Sequence, residues 1–229
     1  MDIQPTPTGG APQPTPQQTV PPGSLPPIQQ PEPRQGQSGD GGHLKSILST
    51  VLLFATAFSI AILLNTFIIQ SYQVDGQSME NTLQNNDRLI VNKVPRTLSR
   101  ITGHQYVPGR ADIIIFNQAG LPGFVGEKQL IKRVIGLPGE RVVVNNGQVT
   151  VYNTQHPLGF NPDAAGTYKI ASATTVGNVD VTLQKDEIFV SGDNRPNSED
   201  SRYFGPVKTN QIVAKLVLRI LPLNHVEVY

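Results

Sequence analysis

The chain has 229 residues, 38% of them hydrophobic, no cysteine, and a formal net charge of +1 from 18 Lys+Arg and 17 Asp+Glu. The absence of cysteine excludes disulfides, a thiolate nucleophile and a cysteine-based zinc site, and the balanced charge gives no electrostatic footprint for nucleic acid. Eleven of the 20 prolines and seven of the 21 glycines fall before residue 43, so the folding unit is shorter than the chain.

That first stretch, 1–43, repeats Gln, Thr and Ser beside its Pro and Gly and has almost no large apolar residue. It cannot bury a core and reads as a disordered tail. Pro12-Gln13-Pro14-Thr15-Pro16 and Pro21-Pro22 have the composition of polyproline II ligands for a cytoplasmic partner, against the plainer reading of a spacer.

Residues 47–69 read ILSTVLLFATAFSIAILLNTFII, with no charge. As a helix this run measures roughly 34 Å at about 1.5 Å per residue, enough to cross a bilayer core of about 30 Å. A soluble core helix would show a polar face, whereas Ser, Thr and Asn lie on all sides here. Ala55 and Ala57 imitate a signal-peptide cleavage site, yet the apolar run continues well past them, which favours a retained anchor over 44–70. Lys45 and His43 precede the span and the far side has no Lys or Arg until Arg88, so the tail is expected to be cytoplasmic and residues 71–229 extracytoplasmic.

The outer part reads as mostly β. Alternating or β-branched runs at 88–91, 112–116, 142–144, 149–152, 187–190 and 212–220 are separated by Gly, Pro and Asn clusters. Asn145-Asn146-Gly147 between two valine-rich runs signals a hairpin. No long amphipathic helical pattern appears after residue 70.

Four segments carry unusual residue combinations: VDGQSMENTL (74–83), NDRLIVNKV (86–94), LIKRVIGLPGERV (130–142) and SGDNRPNSEDSRYFGPV (191–207). Singly, none decides a function. A serine in a Gly-containing turn is usually a turn residue, and a Lys-Arg pair among apolar neighbours is usually the solvated side of an edge strand. In chemical terms, a serine hydroxyl needs a base, and the histidines at 43, 104, 156 and 225 have no accompanying acid or serine motif. A lysine can serve if burial lowers its pKa from about 10.4. Lys132, between Leu130-Ile131 and Val134-Ile135, has suitable neighbours.

Together, in this order after an apolar span, these segments resemble the type I signal peptidase family across roughly residues 45–222. The family's Ser-Met-x-Pro-Thr-Leu motif matches Ser78-Met79-Glu80-Asn81-Thr82-Leu83, its lysine motif matches Lys132 to Gly139, and its Gly-Asp-Asn-x-x-x-Ser-x-Asp-Ser-Arg motif matches Gly192 to Arg202. The resemblance implies a signal-peptidase-like β domain after one N-terminal transmembrane helix, in a bacterial cell membrane. It implies a serine endopeptidase that removes signal peptides from exported preproteins, cutting after small residues at positions −1 and −3, with no cofactor and no metal. Ser78 is then the nucleophile, its backbone N–H an oxyanion donor, and Lys132 the general base. Ser198 is implied to hydrogen-bond the Lys132 amine, Asp200 and Arg202 to form a supporting ion pair, and Asp193 to brace the same wall. Gly76 stands where some members carry a hydroxyl as second oxyanion donor. Asn81 stands where the family usually has proline, a turn former expected to tolerate the same backbone region. Apolar residues near 71–74 and Met79 are expected to rest on the lipid surface.

Three rival readings stand beside this one, of which a plain structural envelope protein leaves the Ser, Lys and Gly-Asp-Asn segments unexplained. The self-cleaving repressor family also uses Ser and Lys on a β scaffold, but it lacks a span and begins with a DNA-binding helix-turn-helix, for which 1–43 is too rich in proline. A catalytically silent, membrane-tethered β domain that binds exported or envelope proteins is the third, and its mark would be loss of Ser78 or Lys132. Both residues are present.

Overall fold

The computed structural model describes residues 41–67, 69–166, 168, 170, 172 and 174–229. The expected tail therefore lies, up to residue 40, outside the described residues. Helix α1 runs Gly41–Phe67. Every side chain from Lys45 to Ile62 is exposed, including Phe54 and Phe58, so the helix has no protein surface covering its apolar sides over that length. Its hydroxyls are satisfied within the helix, Thr56 Oγ1 donating to the Leu52 carbonyl at 2.7 Å and Ser59 Oγ to that of Ala55 at 2.8 Å. That pattern suits a medium with no water to bond them. The helix ends earlier than the sequence suggests, because residues 69 and 70 already belong to a strand.

All strands pair antiparallel. In chain order they are β1 (Ile69–Gln73), β2 (Arg88–Asn92), β3 (Ile113–Ala119), β4 (Glu127–Gly136), β5 (Arg141–Asn145), β6 (Gln148–Tyr152), β7 (Val179–Thr182), β8 (Glu187–Ser191), β9 (Val207–Lys208), β10 (Ile212–Leu221) and β11 (Glu227–Val228). The large sheet has the order β1-β2-β10-β3-β4-β8-β9, with β11 also on β10, and the small sheet is β6-β5-β7. Two short helices complete the body, α2 (Val94–Thr102) and α3 (Ser201–Phe204).

Residue patterns explain the layers. In β5 and β6 only alternate valines are buried, 142 and 144 against 149 and 151, as in a sheet with one wet face. Asn146 and Gly147 join them with φ of 50° and 78°, the positive pair that a two-residue type I′ hairpin demands. In β3, by contrast, Ile113 to Phe116 are all buried, so this strand is covered on both faces. Where β4 leaves the large sheet for the small one, Gly136 lies against Val142, Leu183 and Phe189 so closely that a Cβ would come within 3.0 Å of each.

The structure decides between the two readings of the Lys132-Arg133 pair and corrects one expectation. β4 sits between β3 and β8, not at a solvated edge, and both residues are buried. Val74 and Met79 do not face lipid, because they pack with Leu83, Leu89, Val91, Ile113 and Leu216 in a core cluster.

Candidate active site

Ser78 sits in a tight turn between β1 and β2. The Glu80 N–H donates to the Gln77 carbonyl at 3.1 Å, and the N–H groups of Thr82 and Leu83 donate to the Met79 carbonyl at 3.0 and 2.8 Å. Met79 and Leu83, 1% and 0% exposed, drive the turn into the core and leave Ser78 half-buried at its surface. Two buried contacts hold the far end of the turn. Arg219 from β10 donates from Nη1 to the Thr82 carbonyl at 2.7 Å and to Asp87 Oδ2 at 3.2 Å, and the Tyr229 hydroxyl donates to the same carbonyl at 3.2 Å.

Asn81 has φ of +72°. A proline ring fixes φ near −65°, so the residue that the family usually places here could not adopt this backbone. The expectation that Asn and Pro share one conformation at this position fails, and Asn is present because its short polar side chain tolerates the left-handed region.

Lys132 approaches from β4, where it pairs with Ile114 of β3. Its Nζ lies 2.5 Å from Ser78 Oγ, with the residue only 3% exposed. Burial lowers its pKa from the ordinary lysine value to about 8, against the raising influence of the Asp200 and Glu199 carboxylates and with smaller lowering from Arg202 and Lys128. A neutral amine at hydrogen-bond distance from a serine hydroxyl can accept the hydroxyl proton, which is the first requirement of a base for nucleophilic attack.

The wall behind the pair is charged and fully partnered. Asp193, 0% exposed, receives Arg133 Nε at 2.8 Å and Nη2 at 2.6 Å, and the Thr82 hydroxyl at 2.5 Å. This one carboxylate therefore ties the residue next to Lys132 to the residue four places after Ser78. Asp200 and Arg202 form a two-point pair at 2.8 and 2.9 Å. Burial raises the Asp200 pKa, but Arg202 and the hydroxyls of Ser191 and Ser198 more than offset it, and the carboxyl stays below its usual range. A third pair, Arg195 with Asp163, is bidentate and buried, and Arg195 also donates to the Gly192 carbonyl at 3.0 Å.

Each residue singled out in the sequence lies in this region, with one difference in wiring. The Ser198 hydroxyl accepts from the Gly192 N–H at 3.1 Å and supports Asp200, and among the described residues no hydrogen bond joins it to Lys132. Gly192 itself carries a close approach: a Cβ there would overlap the Ser78 carbonyl and the Ser198 hydroxyl. The neighbouring Asn194 N–H donates to that Ser78 carbonyl at 3.0 Å. Among the described residues no group accepts from the Ser78 N–H. Gly76, at φ +102°, supplies no hydroxyl, and its N–H is taken by Asn85 Oδ1 at 2.9 Å.

Sequence reasoning missed Arg133, Thr82, Arg219 and the Arg195–Asp163 pair. Arg133 was detectable, since an arginine inside an apolar strand run requires a buried acid. Arg219 and Asp163 stand in no motif that marks them.

The dyad opens onto a cleft of about 190 Å³ whose apolar lining includes Tyr72, Val74, Leu89, Ile115, Leu130 and Ile131. A larger cavity of about 550 Å³ touches Thr82 and Arg133 but neither Ser78 nor Lys132. A buried lysine of lowered pKa on a serine hydroxyl, lining a small cleft in an antiparallel β body, is the arrangement of the serine peptidases that work without histidine.

Comparison with known proteins narrows the class. Residues 47–221 match the family model described as signal peptidase, peptidase S26. A probable signal peptidase I-2 from Synechocystis is 34% identical over 172 residues, covering 75% of this chain and 72% of that protein. A signal peptidase IB from Staphylococcus aureus is 29% identical over 191 residues, covering 79% of this chain and 92% of the other. The solved signal peptidase I from Enterococcus faecalis is 29% identical over 48% of this chain and 97% of its own, with a TM-score of only 0.35. The chain belongs to the signal peptidase family.

Proposed function

We propose that this signal peptidase releases signal peptides from preproteins by attack of Ser78 Oγ on the scissile carbonyl, with Lys132 as general base. The observation that carries this assignment is the 2.5 Å contact between the Ser78 hydroxyl and an amine whose pKa is lowered to about 8. As the C–O bond forms, the hydroxyl proton passes to Lys132 Nζ, and the Ser78 N–H, without an acceptor among the described residues, is assigned to donate to the developing oxyanion. The ammonium then returns its proton to the leaving amine as the peptide bond breaks. Water, deprotonated by the same amine, hydrolyses the acyl-enzyme and restores both groups.

Cleavage after small residues at −1 and −3 is the preference expected of this family, and the apolar side chains of Tyr72, Val74, Leu89, Ile115, Leu130 and Ile131 beside the Ser78–Lys132 pair are the candidates to set it. The exposed apolar helix α1 fits a single membrane span, with the tail in the cytoplasm and the β body outside a bacterial cell membrane. In that arrangement the substrate is a preprotein whose signal peptide lies in the same bilayer.

The test uses the full chain, Ser78→Ala and Lys132→Ala on a preprotein with Ala at −1 and −3, across pH about 6 to 10. Wild-type cleavage is expected to rise as pH passes through about 8, because only the neutral amine accepts the proton, and both variants are expected to be inactive. Activity retained in Lys132→Ala would assign the base elsewhere. An inactive wild type with its fold intact would point to a domain that only binds exported chains.

A further inference from the structure

Outside α1, large exposed apolar side chains occur at Phe124-Val125, along the C-terminal run at Leu221, Leu223, Val226 and Val228, at single positions, and on α2, where they share one face of a helix. Val94, Leu98 and Ile101 fall at i, i+4 and i+7, which places them on one helical face, and they are 38%, 55% and 77% exposed. No residue of this helix is buried. A surface helix ordinarily turns its apolar stripe to the core; here the stripe faces outward. Arg96 and Arg100 recur at i, i+4 on a different face, and among the described residues neither forms a salt bridge. An outward apolar stripe beside unpaired guanidinium groups is the chemistry of a helix that lies in an anionic lipid surface.

Sheet register supplies the second observation. β1 runs antiparallel to β2, with Ile69 opposite Asn92. Ile69 comes two residues after the end of α1, and Asn92 two residues before the start of α2. Ile69 and Asn92 are therefore one rung of the sheet apart, about 5 Å, which ties the start of α2 to the exit of α1 through two residues on either side. A nine-residue helix is about 14 Å long, so the stripe reaches no farther than that from its tethered start.

We propose that α2 is an interfacial helix that seats the β body on an anionic phospholipid surface, with Val94, Leu98 and Ile101 entering the boundary between headgroups and acyl chains and Arg96 and Arg100 meeting the phosphates. The proposal rests on the reading of α1 as a membrane span. It replaces the expected lipid contact at 71–74 and Met79, since Val74 and Met79 are in the core. A helix held at that height fixes how far the dyad stands from the bilayer, and so which peptide bond of a membrane-held substrate reaches it.

Because the chain contains no cysteine, a single one can be introduced and labelled without background. The full chain carrying Leu98→Cys, Ile101→Cys, Leu158→Cys or Phe58→Cys would be labelled with an environment-sensitive fluorophore. It would then be reconstituted in phosphatidylglycerol/phosphatidylethanolamine vesicles with lipid-borne quenchers at shallow or deep positions. Leu158, 94% exposed in a loop, is the water control, and Phe58, 70% exposed on α1, reports the span. Labels at 98 and 101 are expected to shift to the blue and to be quenched from the shallow position, with little quenching at 158 and deep quenching at 58. Labels at 98 and 101 as wet as that at 158, with 58 embedded, overturn the proposal alone. A label at 58 that stays in water overturns the anchoring and this proposal with it. A blue shift at 98 without lipid quenching assigns the stripe to a protein partner and overturns it too.

Function gives the second readout. Leu98→Glu/Ile101→Glu is expected to slow cleavage of a bilayer-held preprotein roughly tenfold, the effect of losing two partly buried apolar groups, while a short soluble peptide is cut as before. Unchanged rates on both substrates, or equal losses on both, overturn the proposal; the peptide rate reports separately on the catalytic assignment.

Discussion

Two kinds of buried charge meet around Ser78, and they are built in opposite ways. Lys132 is 3% exposed and among the described residues has no ion-pair partner within salt-bridge distance, so its ammonium form is disfavoured and its pKa falls to about 8. Asp193 and Asp200, both 0% exposed, each receive a guanidinium at two points. The difference separates a group placed to exchange a proton from groups placed to hold geometry. Burial costs all of them solvation, and only the paired ones recover it.

The widest separation between the two kinds should appear in Lys132→Met. Turnover is expected to fall more than about a thousandfold, as for loss of one member of a catalytic unit, yet thermal unfolding at neutral pH should show a gain of roughly 3 kcal/mol. The sign follows from linkage. A lysine with a lowered folded pKa penalises folding fully below about pH 8, and the penalty fades as pH rises toward the unfolded value near 10.5. The stability gain of the variant should therefore shrink above pH 8, and a gain independent of pH would break the contrast.

Asp193→Asn is the converse. Leaving Arg133 buried without its carboxylate should cost about 3 to 5 kcal/mol in denaturant unfolding, with no stabilising pH range. A third change tests the turn alone: Asn81→Pro, a move toward the family's usual residue, should destabilise by about 1 to 3 kcal/mol because φ of +72° is closed to proline, whereas Asn81→Gly should be nearly neutral. Equal stability of the two would mean that the turn adopts another backbone. Smallest of all is Arg141→Ala, which removes a pair with Asp180 on the open face of the small sheet, both about half exposed. Exposed pairs contribute little, and no change in melting temperature or turnover is expected.

How far the sequence told this story depends on where each constraint acts. The six strands read from alternating or β-branched runs all exist, since period-two burial is written locally. Five others were not among those runs: β4, whose Glu127-Lys128-Gln129 start and Lys132-Arg133 pair break the alternation, and β1, β7, β9 and β11, of two to five residues, which neighbours recruit by pairing. α2 escaped notice because it is only nine residues, although Pro95 in its first turn and Gly103 at its C-cap, φ 71°, were signals of a start and a stop. At the site, the resemblance to the signal peptidase motifs drew attention to Ser78, Lys132, Asp193, Ser198, Asp200 and Arg202, and the fold brings them together. The partners of Asp193 and the pin from Arg219 were hidden because they come from strands remote in sequence, and long-range pairing is what a local pattern does not encode.

A lysine tuned to about pH 8 also sets a duty cycle. Below about pH 8 the ammonium form predominates, so the proposed nucleophile is armed in a minority of the molecules at any instant. Polypeptides that merely drift past meet a mostly idle enzyme. The rate on every substrate is then expected to scale with the neutral fraction of that one amine, so local pH at the cleft sets the throughput of the enzyme.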